Sequence, residues 1–287
     1  MRHIIPISGK DSLCTAIVQM TINPELNYEY VFNPTGAELP DVFDWLKKVE
    51  KKLNIKINYV GKNLEQIIKD YNYFLPNYRQ RYCTRQAKIE PFVKWIGKDD
   101  ATVYYGIRAD ENRQGFDNKT NPNITPSYPL IDAKIDLKAV YIILNKQDLK
   151  PPTFFWQRLF DEVQKDFPYP LDSILDEWQI DILFAWRSRA NCYFCFNQKV
   201  SELVGLLEHY PDLFDKMEWY ENQGGDKKFC WRDGYPCEKI RINKDKYLKN
   251  HVKNTIQKIN KLRQQHLFIV DNDDFMNMKS CGLFCGK

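Results

Sequence analysis

Near the N-terminus the chain runs Ile4-Ile5-Pro6-Ile7-Ser8-Gly9-Lys10-Asp11-Ser12, an apolar stretch followed directly by small residues, a lysine and a carboxylate. Small residues let a backbone approach an anion closely. A helix starting just beyond them adds unpaired N–H groups and positive potential, so the chemistry expected of this spacing is phosphate binding. The loop is not of the Walker A type. That motif needs a glycine where Ile4 stands, and Ser or Thr where Asp11 follows Lys10. The competing reading is a strand-to-helix turn that holds no ligand.

Cysteines are the second set of residues able to do chemistry. There are eight, and Cys192, Cys195, Cys230, Cys237, Cys281 and Cys285 all fall in the last hundred residues. Cys192-Tyr193-Phe194-Cys195 has the spacing that lets two thiolates reach one metal, which makes half a site. The other half could come from Cys230 with Cys237 or from Cys281 with Cys285. Four thiolates suit either structural Zn²⁺ or a [4Fe–4S] cluster, and spacing does not choose between them. Cys14, on an amphipathic stretch, reads as core.

Elements that could position these groups follow from hydrophobic periodicity. Residues 3–7, 28–32, 55–60 and 101–105 read as strands, and 11–21, 40–53, 64–72 and 84–97 as helices. Alternation of this kind predicts strand-helix-strand units around a parallel sheet over residues 1–145. Residues 146–190 form a Pro-punctuated, aromatic-rich insertion with short helices. Residues 191–287 form a helical, Cys-rich region with helices near 202–208 and 212–221 and a long one from about Lys246 to Gln265.

The composition is that of an ordinary folded protein: 287 residues, 43% hydrophobic, net charge +4. That charge is too small to argue for nucleic-acid binding by itself. Between Arg241 and His266, however, eight Lys/Arg residues accompany one Asp. The helix 244–263 is therefore either a solvated basic face or a surface for a nucleic-acid backbone. The first apolar run is too short for a signal-peptide core and no run approaches a membrane span, which predicts a cytoplasmic protein without membrane association.

Four segments, taken together, resemble the phosphoadenosine phosphosulfate (PAPS) reductase family of adenine-nucleotide alpha hydrolases, or N-type ATP pyrophosphatases. They are the loop at Ser8–Ser12; Thr35-Gly36-Ala37-Glu38-Leu39-Pro40; Arg81-Tyr82-Cys83-Thr84 with Lys88 and Pro91; and Gly106-Ile107-Arg108 through Glu111 and Arg113, followed by Tyr128-Pro129-Leu130-Ile131-Asp132. Ile7 and Ser8 stand where the family has Ser and Gly, and Pro34 where it has Asp; Ser8 is small enough to preserve the loop. Ser188 to Gln198, Tyr210-Pro211, Glu218, Glu221 and the terminal Cys281-x-x-x-Cys285 are similar to phage and mobile-element members.

The resemblance implies a Rossmann-like α/β alpha-hydrolase core that binds ATP or another adenine nucleotide with Mg²⁺. It implies catalytic roles for Lys10, Asp11, Arg108 and Arg113, with Asp11 a candidate Mg²⁺ contact. It implies nucleotide contacts from Ser8, Gly9, Lys10, Asp11, Ser12, Thr35, Gly36, Glu38, Arg81, Thr84, Lys88, Gly106 and Arg108. For the cysteines it points to Cys192, Cys195, Cys281 and Cys285 as the metal set, leaving Cys230 and Cys237 as packed thiols. The activity implied is cleavage of ATP to AMP and pyrophosphate to adenylate an acceptor in sulfur transfer, as in DNA-phosphorothioation or tRNA-thiolation relatives. Two alternatives stand beside it. One is a PAPS or adenylylsulfate reductase releasing sulfite, for which Ser280 and Phe284 depart from the expected tail. The other is a non-catalytic nucleotide-binding partner of proteins in a defence or mobile-element complex.

Overall fold

The computed structural model describes residues 1–112, 115, 120–152, 154–190, 192–225 and 229–264. The strands are β1 (Arg2–Pro6), β2 (Tyr28–Phe32), β3 (Ile57–Tyr59), β4 (Ala101–Tyr104) and β5 (Ile124–Ser127). They form one parallel sheet in the order β3-β2-β1-β4-β5, with Ile4 opposite Glu29 on one side and Val103 on the other. The order reverses at β1. In open parallel sheets the crevice beyond the carboxyl ends at such a reversal is where ligands bind.

Strand alternation divides the core. Ile5, Tyr30 and Phe32 belong to the larger buried cluster, whereas Ile4, Val31, Val103 and Ile124 belong to a smaller one with Phe92 and Ile96. Both faces are therefore covered, which explains the near-continuous apolar character of β1. The helices of this half are α1 (Lys10–Ile22), α2 (Pro40–Leu53), α3 (Leu64–Asp70), α4 (Tyr82–Thr84), α5 (Glu90–Ile96), α6 (Pro129–Asp132) and α7 (Leu137–Lys146). Proline opens α2, whose buried Val42, Trp45, Leu46 and Val49 recur at helical spacing. α4 and α5 are joined by a π-helical stretch, Arg85–Ile89, rather than forming one uninterrupted helix over 84–97. β5 was not expected; it is a short edge strand carrying Pro126, a residue tolerated where one side of a strand is unpaired.

Beyond residue 150 come α8 (Gln157–Gln164), α9 (Glu177–Leu183), α10 (Val200–His209), α11 (Pro211–Glu221), α12 (Cys237–Ile242) and α13 (Lys244–Gln264). α13 packs against both α8 and α10. The larger buried cluster takes in Trp156, Phe184, Phe194, Trp231 and Ile259 together with Leu13 and Leu46. The C-terminal helices thus share a continuous apolar core with the sheet. Among the described residues no helix is long and apolar enough to cross a membrane.

Candidate functional site

A cavity of about 260 Å³ opens at the carboxyl edge of β1 and β4. Ser8, Gly9, Lys10, Asp11 and Ser12 line it from the turn between β1 and α1, and Gly106, Arg108 and Glu111 from the exit of β4. The Ser12 hydroxyl folds the turn: it accepts from the amides of Ser8 (2.9 Å) and Gly9 (3.1 Å) and donates to the Gly9 carbonyl. An anion docked at this turn would compete with that hydroxyl for the two amides, which rotation of one side chain would release. Gly106 is fixed by close approach, since a Cβ there would lie 2.6 Å from the Ser12 nitrogen and 2.7 Å from the Asp11 carbonyl carbon. Only glycine lets the β4 exit pass directly against the start of α1.

Arg108 is the electrostatic centre of this edge. Its side chain is 5% exposed and its guanidinium reaches Asp11 at 3.1 Å, Asp110 at 2.9 Å and Glu111 at 3.0 Å. Burial disfavours its charge, but Asp11, Glu111 and Asp110 outweigh that and push its pKa up. Lys10 lies 3.5 Å from the other Asp11 oxygen. Asp11 therefore sits between two cations and holds both at the mouth of the phosphate turn.

Thr35, Gly36 and Glu38 form a turn whose hydrogen bonds are largely internal. The Glu38 carboxylate accepts from the Thr35 amide (2.9 Å), the Thr35 hydroxyl (2.7 Å) and the Gly36 amide (3.0 Å). Gly36 adopts φ +77°, which favours glycine. Glu38 lines the large cavity, while Thr35 faces a second, much smaller one. That second cavity is lined by Cys83, Thr84, Lys88, Cys192 and Cys195 as well, and Lys88 lines both. Gly36 and Arg81 line neither.

The Cys192–Cys195 loop is docked on this turn. Thr35 Oγ1 lies 3.0 Å from Cys192 Sγ, and the Tyr193 amide donates to the Ala37 carbonyl at 2.7 Å. Behind it the buried Arg187 donates to the Cys192 carbonyl (2.7 Å), as does Gln198 (3.1 Å). Cys83, from the Arg81–Thr84 segment, thus shares a small cavity with the Cys-x-x-Cys pair. Among the described residues no group of three or more His, Cys, Asp or Glu is placed to hold a metal ion. Cys281 and Cys285 lie outside the described residues, as does Arg113. Cys237 is buried, its thiol pushed up by burial, by the neighbouring Glu221 carboxylate and by the hydrogen bond they share, as expected of a packed thiol. Cys14 is fully buried with its pKa pushed up to about 12, in keeping with a core role.

Sequence reasoning missed the far wall of the large cavity. Arg187, Arg189, Lys199 and Glu202 line it from the loop and helix around the cysteine pair, and His251 and Lys258 from α13. Glu202 accepts from the amides of Ser188 and Lys199 at 2.9 and 2.8 Å, tying the loop to the start of α10. Lys246, Lys249, Lys253, Lys261 and Arg263 are exposed on α13.

Residues 2–124 match the family model described as the phosphoadenosine phosphosulfate reductase domain. The segment that carries the Ser8–Ser12 turn, the Thr35–Glu38 turn and Arg108 is therefore similar to the PAPS reductase domain, whose α/β core is of nucleotide-binding type. The chain is also similar to an uncharacterized protein of Methanocaldococcus jannaschii, 24% identical over 221 residues, covering 72% of this chain and 44% of that protein. The chain thus spans less than half the length of that relative.

Proposed function

We propose that this chain is an ATP pyrophosphatase of the alpha-hydrolase type, akin to the phage and phosphorothioation members. It binds ATP with Mg²⁺ and adenylates an acceptor for sulfur transfer to nucleic acid or in a related modification or defence system. The observation that carries this reading is the phosphate turn at the sheet's reversal point, with Lys10 and the buried Arg108 held there by Asp11. An acceptor oxygen attacks the α-phosphorus, the bond from that phosphorus to the bridging oxygen breaks, and pyrophosphate departs. Lys10 and the turn amides offset charge on the leaving group, and Arg108 and Lys88 hold phosphate oxygens. Arg113, from the same motif, is assigned to that clamp. The cavity-lining carboxylates of Asp11 and Glu111 are hard oxygen donors of the kind Mg²⁺ takes, and the ion would neutralise phosphate charge there.

In this reading residues 1–145 hold the nucleotide, and 146–190 and 191–287 build the acceptor side. The exposed lysines of α13 offer a surface to a nucleic-acid acceptor. With ATP and Mg²⁺ the products should be AMP, or an AMP adduct, and pyrophosphate, resolved by ion-exchange chromatography. ADP with orthophosphate would place cleavage at the γ-phosphate and end this reading. A reductase acting on PAPS or adenylylsulfate is the second reading, favoured by the family match and by Cys83 lining the same small cavity as Cys192 and Cys195; it requires thiol-dependent sulfite release.

The Cys192 and Cys195 thiols that line the smaller cavity suit a thiophilic metal, Zn²⁺ or an iron–sulfur cluster, which they would hold with Cys281 and Cys285. Metal bound there adds to folding free energy and ties distant chain segments together. Truncation after Met278 should lower both metal content and melting temperature. Cys230→Ser combined with Cys237→Ser should leave the metal in place. Elemental analysis showing full retention in the truncation, or loss in the double variant, would move the second pair of ligands to Cys230 and Cys237.

A further inference from the structure

The Thr35–Glu38 turn joins the two cavities. Glu38 lines the large one, and Thr35 and Cys192 line the small one. Thr35 is 1% exposed, and its hydroxyl meets both neighbours: Oγ1 lies 2.7 Å from Glu38 Oε1 and 3.0 Å from Cys192 Sγ. The Ala37 amide approaches the same oxygen at 3.3 Å. A hydroxyl has a single hydrogen to give. Glu38, whose two oxygens already accept from backbone amides, is the acceptor that takes it, and a bond to a carboxylate is roughly twice as strong as a neutral one. The hydrogen between Thr35 and Cys192 therefore belongs to the sulfur, and Cys192 is a thiol that donates to Thr35 Oγ1.

The surroundings hold this chain of three groups in line. Glu38 accepts from the Thr35 amide at 2.9 Å and from the Gly36 amide at 3.0 Å. Across the contact the Tyr193 amide donates to the Ala37 carbonyl at 2.7 Å, while Arg187 and Gln198 fix the Cys192 carbonyl at 2.7 and 3.1 Å. The amides that bind Glu38 are set by the backbone, whereas the hydroxyl hydrogen moves by rotation about one C–O bond. Of the donors on Glu38, the hydroxyl is thus the one that a new donor in the large cavity displaces at least cost.

We propose that Thr35 is a positioning residue that reports occupancy of the nucleotide cavity to the cysteine loop. An O–H or N–H donor of the bound nucleoside takes the Glu38 carboxylate, and the Thr35 hydroxyl turns its hydrogen to Cys192 Sγ. Only hydrogen bonds change, and the heavy atoms already stand at bonding distance. The sulfur passes from donor to acceptor, with its own hydrogen turned away from Thr35. It does so in a loop to which both readings of the function assign chemistry. The nucleotide end rests on the function proposed above; the direction of the bond from Cys192 to Thr35 does not.

The test follows the S–H stretching bands of the reduced full-length protein by difference infrared spectroscopy, with the Cys192 band identified by its loss in Cys192→Ser. That band is expected at the low wavenumber of a donating thiol. Thr35→Val, which keeps the shape of the side chain but not its oxygen, should shift it upward, while Thr35→Ser keeps it low. A non-hydrolysable ATP analogue with Mg²⁺, added to saturation as judged by calorimetry, should shift the wild-type band upward and leave that of Thr35→Val in place. Thermal melts check that the variants are folded, and the wild-type shift on adding the analogue depends on no variant. A wild-type Cys192 band at the wavenumber of a thiol that donates to nothing, or one that bound analogue leaves unmoved, overturns the relay. Calorimetry separates that failure from failure of the proposed function. An analogue that does not bind, while the band still rises in Thr35→Val, defeats the nucleotide reading and leaves the Glu38–Thr35–Cys192 chain standing.

Discussion

Lys10→Ala is expected to weaken adenine-nucleotide binding by roughly tenfold to a hundredfold, because a hydrogen bond to a charged group contributes about 1.5–3 kcal/mol. Its partner is Asp11 at 3.5 Å, a distance at which little folding energy is at stake. The variant should therefore melt close to the wild type while isothermal titration with ATP and Mg²⁺ shows the loss. Asp11→Ala should also weaken binding, though less cleanly, since Asp11 is one of the carboxylates that hold the buried Arg108. Unchanged affinity in Lys10→Ala would remove the Ser8–Ser12 turn from the nucleotide site and with it the core of the assignment.

Arg108→Ala should be the most destabilising change at the site. The guanidinium is shared by Asp11, Asp110 and Glu111, and deleting it leaves these carboxylates facing one another in a half-buried pocket. Removing one partner from a buried ion cluster costs about 3–5 kcal/mol, seen as a fall in the urea midpoint at unchanged slope. Arg108→Lys should recover only part of this, because an ammonium cannot present a planar fork to carboxylates on several sides. Both variants should lose nucleotide affinity as well, since Arg108 is bonded to Asp11 within the Ser8–Ser12 turn. A loss below about 1 kcal/mol for Arg108→Ala would mean that solvent already screens the cluster as it does a surface ion pair.

Much of the nucleotide half was legible in the chain because its signals are local. A strand, a turn of small residues and a helix start follow one another over Arg2–Ile22, and the apolar stripe of Pro40–Leu53 shows in the spacing of Val42, Trp45, Leu46 and Val49. The placing of Gly106 and Arg108 after a strand was legible for the same reason. β5 was not, because Ile124–Ser127 is short, mostly polar and interrupted by proline, and only pairing with β4 makes it a strand. Glu38, named in the sequence only as a nucleotide contact, accepts from three groups of its own turn while still lining the cavity.

What the sequence determined by itself was the strand-turn-helix order of β1 to α2 and the small-residue turn between β1 and α1, since both depend on interactions among residues close along the chain. Tertiary structure decided which distant groups share a site. Thr35 meets Cys192 across 157 residues, Cys83 joins the cysteine pair around one small cavity, and His251 and Lys258 reach the same cavity as Lys10. No periodicity encodes these meetings. They arise because the apolar faces of α8, α10 and α13 have to be buried against one another and against the sheet, and burial of apolar area is indifferent to sequence separation. Packing of that core is what brings the basic residues of the C-terminal region over the carboxyl edge of the strands.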